Sequence, residues 1–290
     1  LLEDWLGVTL FRRTPAQLIL TDAGRSYLGD VTAALDRLAL ASMHVIGQAA
    51  PTALSVNAPP TFAMRWLLAR MSRFLRRRPD VEIRVTTSLA PVNFQENTYD
   101  IAIRGAHAPL AGCISKAFMT ELIVPVCHVD LVEGGCLRAP EDLGGQSLIS
   151  YATEPYSWDE WLRHVGVPEL RRSATLKFEQ MYLAMQAAAE GLGVVLVPLF
   201  LAIDDIIAGR LCAPFGPLGA KRRLYYANAA HGGAAIDAFF EWLLIEGQET
   251  EKSMAEWARA AGWSDTALLR RTPGFVVPRG NVSDNVVTAP

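Results

Sequence analysis

Apolar residues recur at two different periods along the chain, and the change of period divides it. Between residues 22 and 48 the apolar positions Ala23, Tyr27, Val31, Ala34, Leu35, Leu38, Ala41 and Val45 fall at steps of three and four, the period of a helix. Thr21 and Asp22 precede them as N-cap candidates. A helix of about 25 residues is long for a globular protein. Its apolar stripe predicts a partner helix; packing on its own domain is the alternative. Ahead of it, Leu2, Trp5 and Leu6 share one face, as at the end of an amphipathic helix, and Gly7 follows where a C-cap glycine belongs. Val8–Phe11 and Leu18–Leu20 then flank a polar stretch from Arg12 to Gln17, the pattern of a small β-hairpin.

After a short linker at Ala49–Thr52, strand and helix patterns alternate. Strands are predicted over Ala53–Asn57, Val81–Thr87, Tyr99–Arg104 and Leu122–His128, with a helix over Phe62–Arg77. A second unit starts near residue 129, with strands at Ser147–Tyr151, Thr175–Phe178 and Val194–Val197 and helices at Trp158–Val165, Gln180–Glu190 and Leu199–Ala208. A strand at Arg223–Asn228 and a helix at Ala234–Ile245 follow. Such repetition predicts an α/β fold with a mainly parallel sheet. From Gly247 onward the pattern fades: Lys252–Ala261 has the makings of a short helix, and Thr272–Pro290 has no period and reads as weakly ordered tail.

Composition adds exclusions more than assignments. Half the residues are hydrophobic (51%), enough for a sizeable core in 290 residues. No run reaches the roughly 18 apolar residues that a membrane helix needs; Gly191–Ile203 is interrupted by Pro198. The N-terminus carries Glu3 and Asp4 and lacks the cationic start of a signal peptide, so a cytoplasmic protein without a membrane partner is expected. It opens in mid-helix pattern without Met, so the chain reads as truncated at that end. The net charge of −3 demands no nucleic acid, and within residues 1–50 four arginines face five acidic residues. Cys113, Cys127, Cys136 and Cys212 form no C-x-x-C pair and read as buried thiols. There is no G-x-S-x-G, P-loop or H-E-x-x-H, so no enzyme is expected. Glu160 and His164 share a helix face but make a poor metal site alone, and neither metal nor cofactor is expected.

The order of elements resembles the LysR-type transcriptional regulators, in particular the branch containing the glycine-cleavage and β-lactamase activators. LEDWLGVTLFRRTPAQLILTDAG is similar to that family's recognition-helix end, wing and linker-helix start. ALSVNAPPTFAMRWLLARMSRFLRRRPDVEIRVTTS is similar to the first strand, helix and second strand of its effector domain. YDIAIRG, ELIVPVC, WDEWL, MQAAAEGLGVVLVP, AGRLCAPF and FFEWLLIE follow in family order.

The resemblance covers about residues 1–246. It implies a two-lobed effector domain like periplasmic binding proteins, preceded by a long linker helix and a partial winged helix-turn-helix. The implied division is 1–21 for the remnant of the DNA-binding domain, 22–50 for the linker helix, 52–128 with 221–246 for lobe I, 129–220 for lobe II and 247–290 for the tail. The implied partners are promoter DNA, a small-molecule effector and further copies of the chain, as a homodimer or homotetramer. The first two helices and the start of the recognition helix have no counterpart in the sequence, so weak or absent DNA binding is expected of this chain. The loop Ala106–Cys113 lacks the Gly- and Trp-containing pattern common in the branch, and Asn93 stands where part of it has an acidic residue. A stand-alone solute-binding protein and a non-functional fragment are the rival readings.

The candidate site residues each have a plainer alternative. Thr61 and Phe62 open a helix whose free N–H groups suit a carboxylate, or Thr61 only caps it. Thr87 and Ser88 end a strand where ligands gather in open sheets, or are ordinary turn polarity. Arg104 would clamp a carboxylate, or form a structural ion pair. By analogy with Thr61, Gln180 faces the cleft in the second lobe, with Tyr151 and Pro198 as walls. Arg12, Arg13 and Thr14 at the wing would touch DNA phosphates, or form a solvated turn. The run Arg73, Arg76, Arg77 and Arg78 is better explained as cations at a helix C-terminus than as a nucleic-acid patch.

Overall fold

The structure is a computed structural model that describes residues 2–13, 18–46, 52–95, 99–135, 137–153, 156–170, 174–216 and 218–263. Helix α1 (Leu2–Leu6), strands β1 (Phe11–Arg13) and β2 (Leu18–Leu20) and helix α2 (Asp22–Ile46) form the N-terminal part. β1 and β2 pair antiparallel, with Phe11 opposite Leu20. The Glu3 carboxylate fastens α1 to β1 by accepting the N–H groups of Leu10 (2.6 Å) and Phe11 (2.9 Å), which lowers its pKa. Thr21 Oγ1 accepts the Gly24 N–H at 3.0 Å, so Thr21 caps α2. On α2, Leu28 and Leu35 are more than half exposed.

The remaining elements build one sheet with helices on it. They are β3 (Thr52–Ala58), α3 (Pro60–Phe62), a π-helical turn (Ala63–Leu67), α4 (Leu68–Arg77), β4 (Val81–Thr87), β5 (Ile101–Ala106), β6 (Ile114–His128) and α5 (Asp130–Glu133). A 3-10 turn (Pro140–Gly145) leads to β7 (Ser147–Tyr151), α6 (Trp158–His164), β8 (Ala174–Phe178), α7 (Met181–Ala189), β9 (Val194–Pro198) and α8 (Leu199–Ile207). β10 (Leu211–Cys212), β11 (Leu218–Ala229) and α9 (Ala234–Ala260) complete the set.

The strand order is β4-β3-β5-β11-β6-β9-β7-β8, with β10 on the side of β6. This corrects the expectation of a mainly parallel sheet. β4, β3 and β5 are parallel, and so are β8, β7 and β9, but the strands joining the two groups are antiparallel. The cause is topological. β6 carries the chain from one group to the other, β11 carries it back, and two strands that cross in opposite directions must pair antiparallel. Along β6 the partners change: Ile114–Thr120 and, after a register shift, Leu122–Ile123 face β11, Ile123–Val126 face β9, and Cys127–His128 face β10.

A second correction concerns α9, which runs unbroken to Ala260 where a tail was expected from residue 247. Gly247, Thr250, Met254 and Ala258 are buried at helical spacing along it. A Cβ on Gly247 would lie 2.0 Å from the Phe118 carbonyl oxygen, so the missing side chain is what lets α9 touch β6. Residues 264–290 lie outside the described part.

An aromatic cluster sits where the two groups of strands meet. Phe62 stacks on Trp66 (5.1 Å between centroids) and on Tyr225 (5.3 Å), and meets Phe118 and Phe200 edge-on. Trp66 donates its Nε1–H to Thr250 Oγ1 at 3.0 Å, and that hydroxyl donates to the Glu246 carbonyl at 2.8 Å. Ion pairs tie the helical run 60–77 to α8: Arg70 with Asp204 at 3.1 Å and Arg65 with Asp205 at 2.9 Å.

Candidate functional site

Three helices begin close to the crossing strands, each directly after a parallel strand. α3 follows β3, α7 follows β8 and α8 follows β9. Cα atoms of α3 and α7 come within 8 Å of each other. Ligands of parallel α/β sheets collect at such strand ends, where the first N–H groups of the helices are free.

The sequence-predicted residues take different places around this junction. Thr61 is buried in the first turn of α3 and makes no cap bond, because Pro59 occupies the N-cap. Its plainer role as a cap is therefore absent. Phe62 is fully buried, its ring committed to the aromatic cluster, so only its main chain faces the helix start. Gln180 is the half-buried N-cap residue of α7 and also makes no side-chain cap bond. Tyr151 and Pro198 are buried at the ends of β7 and β9, and the Tyr151 hydroxyl donates to the Leu196 carbonyl at 3.0 Å. Thr87 is exposed at the end of β4, and Ser88 follows with its Oγ accepting the Ala90 N–H at 3.0 Å.

Among the described residues Arg104 forms no ion pair, nor is it a free clamp. Its guanidinium donates to Asn57 Oδ1 (2.7 Å), to the carbonyls of Ile103 (2.8 Å) and Ala90 (3.1 and 3.2 Å), and at 3.5 Å to that of Asn57. Those contacts use all five N–H groups on neutral oxygens. Burial lowers its pKa, and no carboxylate among the described residues hydrogen-bonds to it. The fork pins the loop after β4 to the ends of β3 and β5. Arg12 is exposed on β1 and Arg13 ends that strand; Thr14 lies outside the described residues.

The polar centre of the junction was not picked out by sequence reasoning. Glu121 lies on β6 at the register shift in its pairing with β11, just before β9 takes over, with its side chain fully buried. Arg223 Nε is 3.3 Å away, yet neither Glu121 oxygen accepts a hydrogen bond, and Arg223 Nε lacks an acceptor too. Burial pushes the Glu121 carboxyl up to about 7, with Arg223 only partly offsetting it. Tyr225, opposite Gly105, completes the group, and its hydroxyl is pushed upward by burial and by Glu121. Gly105 leaves these side chains room: a Cβ would stand 2.8 Å from Glu121 Oε2 and 2.9 Å from both Arg223 Nη2 and Tyr225 Cε2.

A separate cavity of 370 Å³ lies farther along α7 and α8, lined by Arg65, His128, Gln186, Glu190, Asp205 and Arg210. None of the predicted residues lines it. Among the described residues there is no cluster of three or more metal-ligating side chains, and no helix is long and apolar enough to cross a membrane.

A buried carboxyl without hydrogen bonds thus lies at the strands that join the two groups, close to where helices begin. A family profile described as the LysR substrate binding domain matches residues 48–248. The chain belongs to the LysR-type transcriptional regulators. The glycine cleavage system transcriptional activator of Escherichia coli (strain K12) is 31% identical over 250 residues, covering 84% of this chain and 81% of that one. The transcriptional activator AmpR of Rhodobacter capsulatus is 30% identical over 253 residues, covering 86% and 85%. In fold, the effector domain of AmpR of Pseudomonas aeruginosa matches with a TM-score of 0.58 at 24% identity, over 70% of this chain and 99% of that one. The full-length Vibrio cholerae virulence activator AphB matches at 0.53 and 18% identity, over 84% and 86%. This LysR-type regulator thus carries the family's effector-binding domain, and the family is one of transcription regulators rather than enzymes.

Proposed function

We propose that this regulator senses a small zwitterion of the amino-acid type between its two sheet halves. The observation that carries the reading is Glu121, a buried carboxyl without a hydrogen bond at the crossing between the halves. A buried charge wants a partner, and an ammonium group supplies one with three donors. The ligand's carboxylate is received at the start of α3, by the Thr61 hydroxyl and the Thr61 and Phe62 N–H groups, and Gln180 reaches it from α7. Ser88 and Thr87 edge the opening, Tyr151 and Pro198 wall it, and Arg104 holds the loop that Ser88 begins.

The halves correspond to 52–128 with 221–246 and to 129–220, extended by the continuation of α9. Ligand favours one relation of the halves over another, shifting a pre-existing balance by its difference in affinity for the two. The exposed Leu28 and Leu35 of α2 are the surface for a second copy of the chain, as a homodimer or within a homotetramer. Arg12 and Arg13 on the hairpin, with Thr14 beyond, touch promoter phosphates without reading sequence.

The test is thermal unfolding of the chain with a panel of amino acids, matching carboxylates without the ammonium, and matching amines. Ligand at 100 times Kd stabilises the native state by about 2.7 kcal/mol. A midpoint raised by an amino acid, and lost in both Thr61→Ala and Glu121→Gln, is the expected result. An equal response to the plain carboxylate, undiminished in Glu121→Gln, would overturn the ammonium assignment. Silence across the panel would overturn the zwitterion altogether.

A further inference from the structure

Cys127 and Cys212 are 85 residues apart in the chain, and the sheet brings them face to face. β10 pairs antiparallel with the end of β6 in a register that sets Cys212 opposite Cys127. Their Sγ atoms are 3.5 Å apart. Directly opposed residues of an antiparallel pair have Cα separations of about 4.5 or 5.5 Å, and both values fall within the span that a disulfide bridges. Closing the gap to a bond of about 2.05 Å therefore asks for side-chain rotation and not for backbone movement.

The two thiols are unequal. Cys127 is fully buried in the smaller apolar cluster, which also holds Leu143, Leu148, Trp158 and Phe215. Cys212 is half-exposed, and its Sγ also lies 3.6 and 3.7 Å from the carbonyls of Cys127 and His128. With Cys127 donating its S–H, the Cys212 thiol is held below its usual pKa while that of Cys127 is raised. The accessible sulfur is thus the one better able to ionise.

We infer that Cys127 and Cys212 are a peroxide-oxidisable pair that forms an intrachain disulfide. The Cys212 thiolate attacks one oxygen of a hydroperoxide; an S–O bond forms, the O–O bond breaks, and the departing oxygen takes a proton from water. Cys127 sulfur then attacks the Cys212 sulfenic sulfur; the S–S bond forms, the S–O bond breaks, and the Cys127 proton leaves with the hydroxyl as water. Two thiols give up two electrons and the peroxide accepts them. The bond would staple the exit of α8 to β6. α8 carries Asp205, which holds Arg65 in the helical run after β3 and also pairs with Arg210, so the staple sits beside the contact that joins the two halves. This inference is independent of the effector reading.

The experiment uses the whole chain with Cys113→Ser and Cys136→Ser, leaving this pair alone, and repeats it on the unsubstituted chain. Mild hydrogen peroxide, quenched by denaturing alkylation, is expected to remove both alkylatable thiols. Non-reducing peptide mass mapping is expected to find the Cys127 and Cys212 peptides joined within one chain, and a dithiol to restore both. A sulfenic-acid trap then reads the order of attack: Cys212 is labelled in Cys127→Ser, and Cys127 stays unlabelled in Cys212→Ser. Sulfinic acid without a cross-link, or a bond only between chains, would overturn the pairing. Label on Cys127 alone would overturn the assignment of Cys212 as attacking thiolate.

Discussion

Replacing Glu121 with Gln tests the physical claim beneath the proposed site without any ligand. The carboxyl has no hydrogen-bond donor and is sealed from water, so its ionised form is disfavoured in the folded chain. Its pKa rises from an ordinary 4.5 to about 7. The sign follows from linkage. A group with a raised folded-state pKa contributes stability that is complete below the unfolded value and is lost as pH climbs through the folded one. The loss therefore falls between about pH 4.5 and 7, and at about 1.4 kcal/mol per pH unit it amounts to about 3 kcal/mol by pH 8. Gln carries no proton to lose. Urea unfolding of both proteins at intervals from pH 5 to 8 gives the comparison, and other titrating groups cancel in the difference. The variant should gain on the wild type by about 2.5 kcal/mol across that range, the first part of the loss falling below pH 5. Parallel curves would refute the raised pKa. A wild type that gains on the variant as pH rises would mean that Arg223 compensates the charge fully, and the reason for an ammonium ligand would be gone.

Gly247→Ala should lower stability by roughly 2 kcal/mol or more, since the new methyl meets the Phe118 carbonyl at 2.0 Å; an unchanged thermal midpoint would mean that α9 is not seated on β6. Thr250→Val removes the acceptor of the buried Trp66 N–H and should cost about 1–3 kcal/mol, with Thr250→Ser recovering most of it in the same denaturation assay. Arg104→Lys keeps the charge but not the fork. It should cost about 1–2 kcal/mol and speed amide exchange in the loop from Ser88 to Ala90, because one ammonium cannot hold Asn57 and Ala90 together. Unaltered exchange there would show that the arginine does not anchor the loop.

Much of the fold was legible because local pattern and tertiary burial agree. Ser147–Tyr151 is a strand with the bounds its apolar run predicts, and α2 starts at the cap residues that the sequence offers. Legibility failed where long-range pairing sets the structure. β6 was visible only from Leu122, because Ile114, Lys116 and Ala117 are exposed on its first half and leave no apolar run. The mixed sheet follows from two crossing strands whose partners lie about a hundred residues away, and no local period encodes that. α9 was cut short because Gly247 and Thr250 look like helix breakers or surface residues. In the folded chain one permits close approach to β6 and the other satisfies a buried indole.

The site divides along the same line. Thr61 and Gln180 follow strands, and that rule of α/β folds is readable from sequence alone. Arg104 was located by the same rule, but its chemistry was not, because its donors are consumed by Asn57 and by carbonyls that no sequence pattern announces. Glu121 did leave a trace: it is the single charge in the stretch Leu122–Cys127 with its preceding residue, an otherwise apolar strand. A lone carboxylate in a buried strand needs an explanation. Among the described side chains none hydrogen-bonds to it and Arg223 at 3.3 Å offsets the burial only in part, which leaves the rest of the explanation to a proton or to something that binds. The two are not rivals. A carboxyl that holds its proton near neutrality when the cleft is empty gives it up when a cation arrives. Ligand binding at this site would then release up to one proton near pH 6, and the effector response would weaken as the solution becomes more acidic.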